Sequence, residues 1–134
     1  MSRYVLDTSA LLTLHNDEPG SQRVADLLAD AAQAKVTVFA CFMSQMEVFY
    51  RVWKTEGESV GRAAYALCQD LPLTWVHESP ELLELAARMK AQYPMSVADA
   101  WIAATALQCD ATLVHKDPVF EAVQELRHEK LPYK

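Results

Sequence analysis

Short apolar runs alternate along the chain with longer stretches whose apolar residues recur every three or four positions. The first pattern predicts strands and the second predicts amphipathic helices. Arg3-Tyr4-Val5-Leu6 reads as a first strand, and Thr8 to Leu14 as a short helix after it. Asn16-Asp17-Glu18-Pro19-Gly20 has the chemistry of a turn. Val24, Leu27, Leu28 and Ala31 mark a helix within Ser21 to Ala34, and Val36 to Phe39 is a second strand. Met43 to Glu56 predicts a helix with Met46, Phe49, Tyr50 and Trp53 along one side. Glu58 to Asp70 predicts another helix after Gly57, and Leu73 to Val76 a third strand. Ser79-Pro80 joins a capping hydroxyl to a proline at the first helical position, opening a helix to about Gln92. Ser96 opens a further helix carrying Val97, Ala100, Trp101, Ala104 and Leu107. Thr112 to His115 is the fourth strand, and Pro118 to Leu126 a short helix. Glu129 to Tyr133 suits an edge strand, because Pro132 lacks the N–H a central strand needs.

Strands alternating with helices imply an α/β fold: a mostly parallel sheet with helices on both faces. No linker, repeat or composition break divides residues 1–134, so the length points to one domain. A chain of this size can bury a core without disulfides or a structural metal. In such sheets ligands bind beyond the carboxyl ends of the strands, where strand order reverses. Acids that directly follow strands therefore draw attention.

Asp7 directly follows the first strand, and Asp117 follows the fourth with its extension. Glu47 and Asp99 lie near the starts of helices. Each has an ordinary structural explanation. Asp7 can cap the helix from Thr8, and Asp117 the helix from Pro118. Ser44-Gln45-Met46-Glu47 fits a capping box, and Ser96-Val97-Ala98-Asp99 has a similar form. Taken singly, capping is the commoner role. It does not explain why Asp99 sits in Val97-Ala98-Asp99-Ala100-Trp101-Ile102, or Glu47 between Met46 and Val48. Acids in such surroundings are expected to be partly buried, and burial without a partner is costly. Two like charges ~5 Å apart at an effective dielectric of ~20 repel by about 3 kcal/mol. Four in one crevice call for a cation. Hard carboxylate oxygens suit Mg²⁺ or Mn²⁺, which can activate water for in-line attack on a phosphate.

Composition adjusts this picture in three ways. Twelve Lys and Arg face eighteen Asp and Glu, a net charge of −6. Setting the four candidate ligands aside leaves 14 acidic residues and a net −2. A nucleic-acid substrate is thus compatible, whereas non-specific binding along a basic surface is not. The three cysteines, Cys41, Cys68 and Cys109, are odd in number, distant in sequence and set among apolar neighbours. They read as buried reduced thiols. No signal peptide and no membrane span is visible, so the expected location is the cytoplasm. Only three glycines are present, which disfavours a glycine-rich phosphate loop.

Four segments together resemble the PIN-domain ribonucleases, most closely the VapC toxins of VapBC toxin–antitoxin pairs. They are Tyr4 to Leu12, Ser44 to Glu47, Ser96 to Ala106 and Ala111 to Phe120, in an order and spacing that span nearly the whole chain. The resemblance implies a PIN-like three-layer fold of about five strands with the first strand central. It implies metal-dependent endonucleolytic cleavage of RNA by Asp7, Glu47, Asp99 and Asp117 with Mg²⁺ or Mn²⁺. It further implies a homodimer and a VapB-like antitoxin whose C-terminal part blocks the site. Ser9 stands where the family often has a hydroxyl supporting the first acid. One departure is His115, two residues before the fourth acid, where the family usually has Thr or Ser. His115 can replace that hydroxyl, meet substrate, or sit at the crevice edge, the last being favoured.

Candidate substrate cations are few. Arg51 and Lys54 lie one and two turns beyond Glu47 on its helix, and Lys116 is beside Asp117. Glu47 and Arg51 also have the i,i+4 spacing of a solvated salt bridge. Phe49, Tyr50 and Trp53 suit core or dimer packing better than base stacking. Competing readings are a PIN nuclease that processes RNA without an antitoxin and a non-catalytic PIN-fold binding module. A phosphoacceptor receiver domain is disfavoured, since Asp7 stands alone after the first strand.

Overall fold

The computed structural model describes residues 1–133. Five strands form one sheet: β1 (Arg3–Leu6), β2 (Thr37–Cys41), β3 (Thr74–Val76), β4 (Thr112–His115) and β5 (Arg127–Lys130). Their order is β3-β2-β1-β4-β5, and every neighbouring pair is parallel. β1 is central, and the order reverses beside it. The helices are α1 (Thr8–Asn16), α2 (Ser21–Ala32), α3 (Met43–Glu56), α4 (Glu58–Gln69), α5 (Pro80–Gln92) and α6 (Val97–Gln108).

Period-two alternation divides the strands between two cores. Val5 and Leu113 face a core built with Met89, Ile102, Ala103 and Phe120. Leu6, Val38 and Val114 face the other, with Leu11, Val24, Leu27 and Val48. Helices α5 and α6 therefore cover one face and α1 to α4 the other, giving three layers. All three cysteines are free and buried. Among the described residues no helix is long and apolar enough to cross a membrane.

Three differences from the expected boundaries have a clear physical reason. β2 continues through Ala40 and Cys41, because both pair with neighbouring strands. The segment from Pro118 is a 3₁₀ turn ending at Ala122, and Val123 and Leu126 then turn inward as buried residues. The last strand starts at Arg127 and stops at Lys130, before the proline that would interrupt its ladder.

The helix that carries Glu47 is held by a close approach. A Cβ at Gly61 of α4 would lie 2.9 Å from Trp53 Cβ and 3.0 Å from the Phe49 carbonyl oxygen of α3. Gly61 thus lets α4 press directly on α3. The face of α3 turned to the core carries Ser44, Val48 and Val52. Of the aromatics expected to pack in the core or in a dimer, Phe49 is half-buried while Tyr50 and Trp53 are exposed, as is Met46 beside them.

Candidate active site

Asp7 ends β1 at the point where the sheet order reverses, and only 3% of its surface is exposed. Its Oδ1 accepts the Ala10 N–H at 2.7 Å, so it does cap α1. The Ser9 hydroxyl spans both carboxylate oxygens at 2.7 and 2.8 Å. Ser9 Oγ in turn accepts the Lys116 N–H at 2.9 Å, tying the end of β1 to the end of β4. Burial pushes the Asp7 carboxyl up to about 7; Ser9 and the Ala10 amide oppose this, and the charges of Asp99 and Asp117 add to it.

Glu47 is not part of a capping box. The residue before α3 is Phe42, already in helical conformation and without a side-chain cap, so Ser44 lies inside the helix. Its hydroxyl is buried and meets Thr8 Oγ1 at 2.9 Å. Thr8 donates its one hydrogen to Glu47 Oε1 at 2.6 Å, so Ser44 must donate to Thr8. Two buried hydroxyls therefore orient this carboxylate. Thr8 had no place among the expected site residues. Its signal in the sequence was a hydroxyl directly after the acid that ends the central strand.

Asp99 and Asp117 do combine capping positions with proximity to the other acids. Ser96 caps α6 by accepting the Asp99 N–H at 3.1 Å. Asp117 Oδ1 accepts the Val119 N–H at 3.0 Å at the head of the 3₁₀ turn. Burial raises the Asp99 carboxyl; Ser96 lowers it, Asp117 and Glu47 raise it further, and Arg51 lowers it. Asp99 is thus the acid that senses Asp7, Glu47 and Asp117 alike. Among the described residues, no three His, Cys, Asp or Glu side chains lie close enough together, as placed, to hold a metal ion between them. The four acids act on one another electrostatically at the carboxyl ends of β1 and β4 without being drawn together.

The expected cations are placed unequally. Arg51 is exposed, forms no ion pair with Glu47, and acts on Asp99. Lys54 is exposed on the same helix. Lys116 is no free substrate contact: its ammonium pairs with Glu18 at 3.2 Å and its side chain is only 10% exposed. His115 is also not at the crevice edge. Its ring is fully buried against Phe120, and its Nδ1 accepts the Asp117 N–H at 3.1 Å. His115 offers no hydroxyl two residues before the fourth acid; Ser9 is the hydroxyl that joins β1 to β4.

A model of the PIN domain matches residues 4–126. The chain belongs to the PIN-domain family. This PIN domain is similar to the structure of VapBC2 from Rickettsia felis bound to a DNA fragment from its promoter. The TM-score is 0.76 at 21% identity, covering 97% of this chain and 99% of that one. It is also similar to DNA-bound VapBC from Salmonella typhimurium, with TM-score 0.75, 17% identity and coverage of 97% and 98%. For VapC20 from Mycobacterium tuberculosis, a sarcin–ricin loop cleaving toxin, the values are 0.72, 19%, 90% and 95%. No curated protein matches by sequence. At these identities the structural likeness establishes the PIN fold. Asp7, Glu47, Asp99 and Asp117 stand around the carboxyl ends of that fold's central strands, β1 and β4.

Proposed function

We propose that this PIN domain is a metal-dependent endoribonuclease, the toxin of a VapBC-type pair, with Asp7, Glu47, Asp99 and Asp117 as its metal-binding acids. The observation that carries the reading is Asp7. A carboxylate is buried at the sheet's switch point, raised to about 7 by burial, and faced by two further acids. That arrangement is unfavourable for the protein alone and favourable around a cation.

The donor set fits Mg²⁺ or Mn²⁺. All four side chains are hard oxygen donors, and Mg²⁺ keeps several waters while taking one or two carboxylates directly. A loosely spaced group suits such an ion better than a closed cage. When bound, the ion would supply an activated water and charge stabilisation at the phosphate. The chain's own groups prepare this. Ser9 fixes both oxygens of Asp7, and Thr8 takes Oε1 of Glu47, leaving Oε2 for the crevice. The Val119 amide likewise takes only Oδ1 of Asp117. Arg51 and Lys54 supply positive charge for the RNA backbone on the outer edge of α3.

The test is incubation of purified protein with total cellular RNA and mapping of the products. Cleavage is expected with Mg²⁺ or Mn²⁺ and not with excess chelator. Cleavage that persists in chelator would overturn the metal assignment. The similarity to VapBC structures supports an antitoxin partner; in the proposed reading its C-terminal part blocks the site and the pair acts in the cytoplasm.

A second copy of the chain completes the assembly we propose. Met46, Tyr50 and Trp53 are 60%, 42% and 42% exposed on α3, and Val97 and Leu83 are 57% and 49% exposed on α6 and α5. Phe42 and Trp101 link the two patches edge to face, with ring centroids 5.1 Å apart. A continuous apolar face of this kind marks a protein contact. Trp53→Glu is expected to convert a dimer to a monomer in light scattering. A wild type that is monomeric at micromolar concentration would refute the homodimer.

A further inference from the structure

His115 and His128 form a relay that leads away from the crevice. His115 Nδ1 accepts the Asp117 N–H at 3.1 Å. A nitrogen that accepts carries no hydrogen, so in the neutral ring the proton sits on Nε2. His115 Nε2 lies 3.0 Å from His128 Nδ1 and must donate to it. The same logic puts the His128 proton on its Nε2, which lies 3.2 Å from the Val123 carbonyl oxygen. Each link fixes the next tautomer, and every donor in the chain meets an acceptor. The two rings stand edge to face at 5.2 Å, and Phe120 packs on His115 from another side at 5.2 Å.

The ends of the relay are informative. It begins at Asp117, which opens the 3₁₀ turn, and finishes at Val123, which closes it. Both ends of the segment are therefore stapled through His128 to β5, the edge strand. The Asp117 carboxylate is fixed separately, by the Val119 amide inside the same turn. Backbone and side chain of this acid thus depend on one segment, and that segment is anchored by two imidazoles. A Thr or Ser at position 115 could not reach from Asp117 to β5.

We propose that His115 is a positioning residue for Asp117, oriented by His128, and that it sets the place of the fourth acid without touching metal or substrate. The inference rests on the nuclease reading of Asp117 and adds to it a control from the C-terminal strand. Groups that orient a ligand from outside typically account for about 10–100-fold in metal affinity or activity.

Two measurements at pH 8 test it. Long-range ¹⁵N–¹H correlation NMR on the wild type should show both His115 and His128 as Nε2–H tautomers. An Nδ1–H tautomer at His115 would overturn the proposal, because that nitrogen could not then accept from Asp117. His115→Leu is expected to lower kcat on RNA about tenfold with little change in KM. The Mg²⁺ concentration giving half of the melting-temperature rise should increase by a similar factor. His115→Asn, whose Oδ1 can stand near the lost Nδ1, should recover most of both. A folded His115→Leu with wild-type kcat and Mg²⁺ response would sink the idea. If His115→Leu does not fold, His128→Leu at an exposed position takes the same readouts. A wild type without Mg²⁺-dependent cleavage refutes the nuclease reading instead, while the tautomers and the Mg²⁺ melting response still decide the relay.

Discussion

Asp7→Asn is expected to abolish RNA cleavage and, in the metal-free protein at pH 8, to raise the melting temperature. Losing an acid that holds the ion removes several kcal/mol of transition-state stabilisation, a rate loss on the order of a thousandfold. The stability gain has a separate cause. Asp7 is nearly fully buried, and its carboxyl is raised from 3.8 to about 7. Between those values the folded state binds a proton that the unfolded state has released. Stability therefore falls as pH rises through this window, and above about pH 7 the whole penalty is present. Its size is up to about 4 kcal/mol. Asn removes the charge and keeps the geometry: its Oδ1 still accepts the Ala10 amide, and Asn caps helices as well as Asp. Thermal melts in chelator should therefore place the variant several degrees above the wild type at pH 8 and level with it near pH 4. A variant less stable than the wild type at pH 8 would show that Asp7 is compensated by protein groups rather than waiting for a cation. The same shift gives Mg²⁺ binding a sign. The ion needs the ionised carboxylate, so its affinity should climb between pH 6 and pH 8.

What could be read in the sequence follows the range of the physics involved. β1, α3 and β4 have the bounds their hydrophobic periods predict, because periodicity and burial are local signals that agree there. The placement of the four acids at strand ends and helix starts was legible because those elements were, whereas their coupling to one another needed the fold. Ser44 misled, since a capping box is a matter of sequence spacing. Whether it forms depends on where the helix starts, and Phe42 starts it early. Thr8 was hidden because its partners, Ser44 and Glu47, lie 36 and 39 residues away and meet it only through packing. Lys116 shows the same limit. Its neighbour Asp117 suggested substrate, whereas the fold brings Glu18 to it from 98 residues away. His128 carried no signal at all, since β5 is short, polar and identified by pairing with β4 rather than by periodicity.

Asp99→Asn should reduce cleavage as strongly as Asp7→Asn but raise metal-free stability much less, and this contrast separates the two roles. Asp99 is half-buried where Asp7 is nearly sealed, so its burial penalty is smaller. Repulsion from Asp117 and Glu47 works against the charge, while Ser96 and Arg51 favour it. Its place in the first turn of α6 adds a further favourable interaction with the helix end, about 0.3–1 kcal/mol at a surface site. Burial and repulsion outweigh the favourable contributions, so replacing the charge should raise metal-free stability slightly, less than at Asp7. With Mg²⁺ the balance differs. Asp99 is the acid coupled to all three others, and a bound cation would relieve each of those repulsions at once. Mg²⁺ should therefore raise the wild-type melting temperature clearly and that of Asp99→Asn much less. An equal rise in both proteins would remove Asp99 from the metal site. A fall in metal-free stability of more than about 2 kcal/mol, the range of a lost helix cap, would point to capping rather than metal binding as its main task.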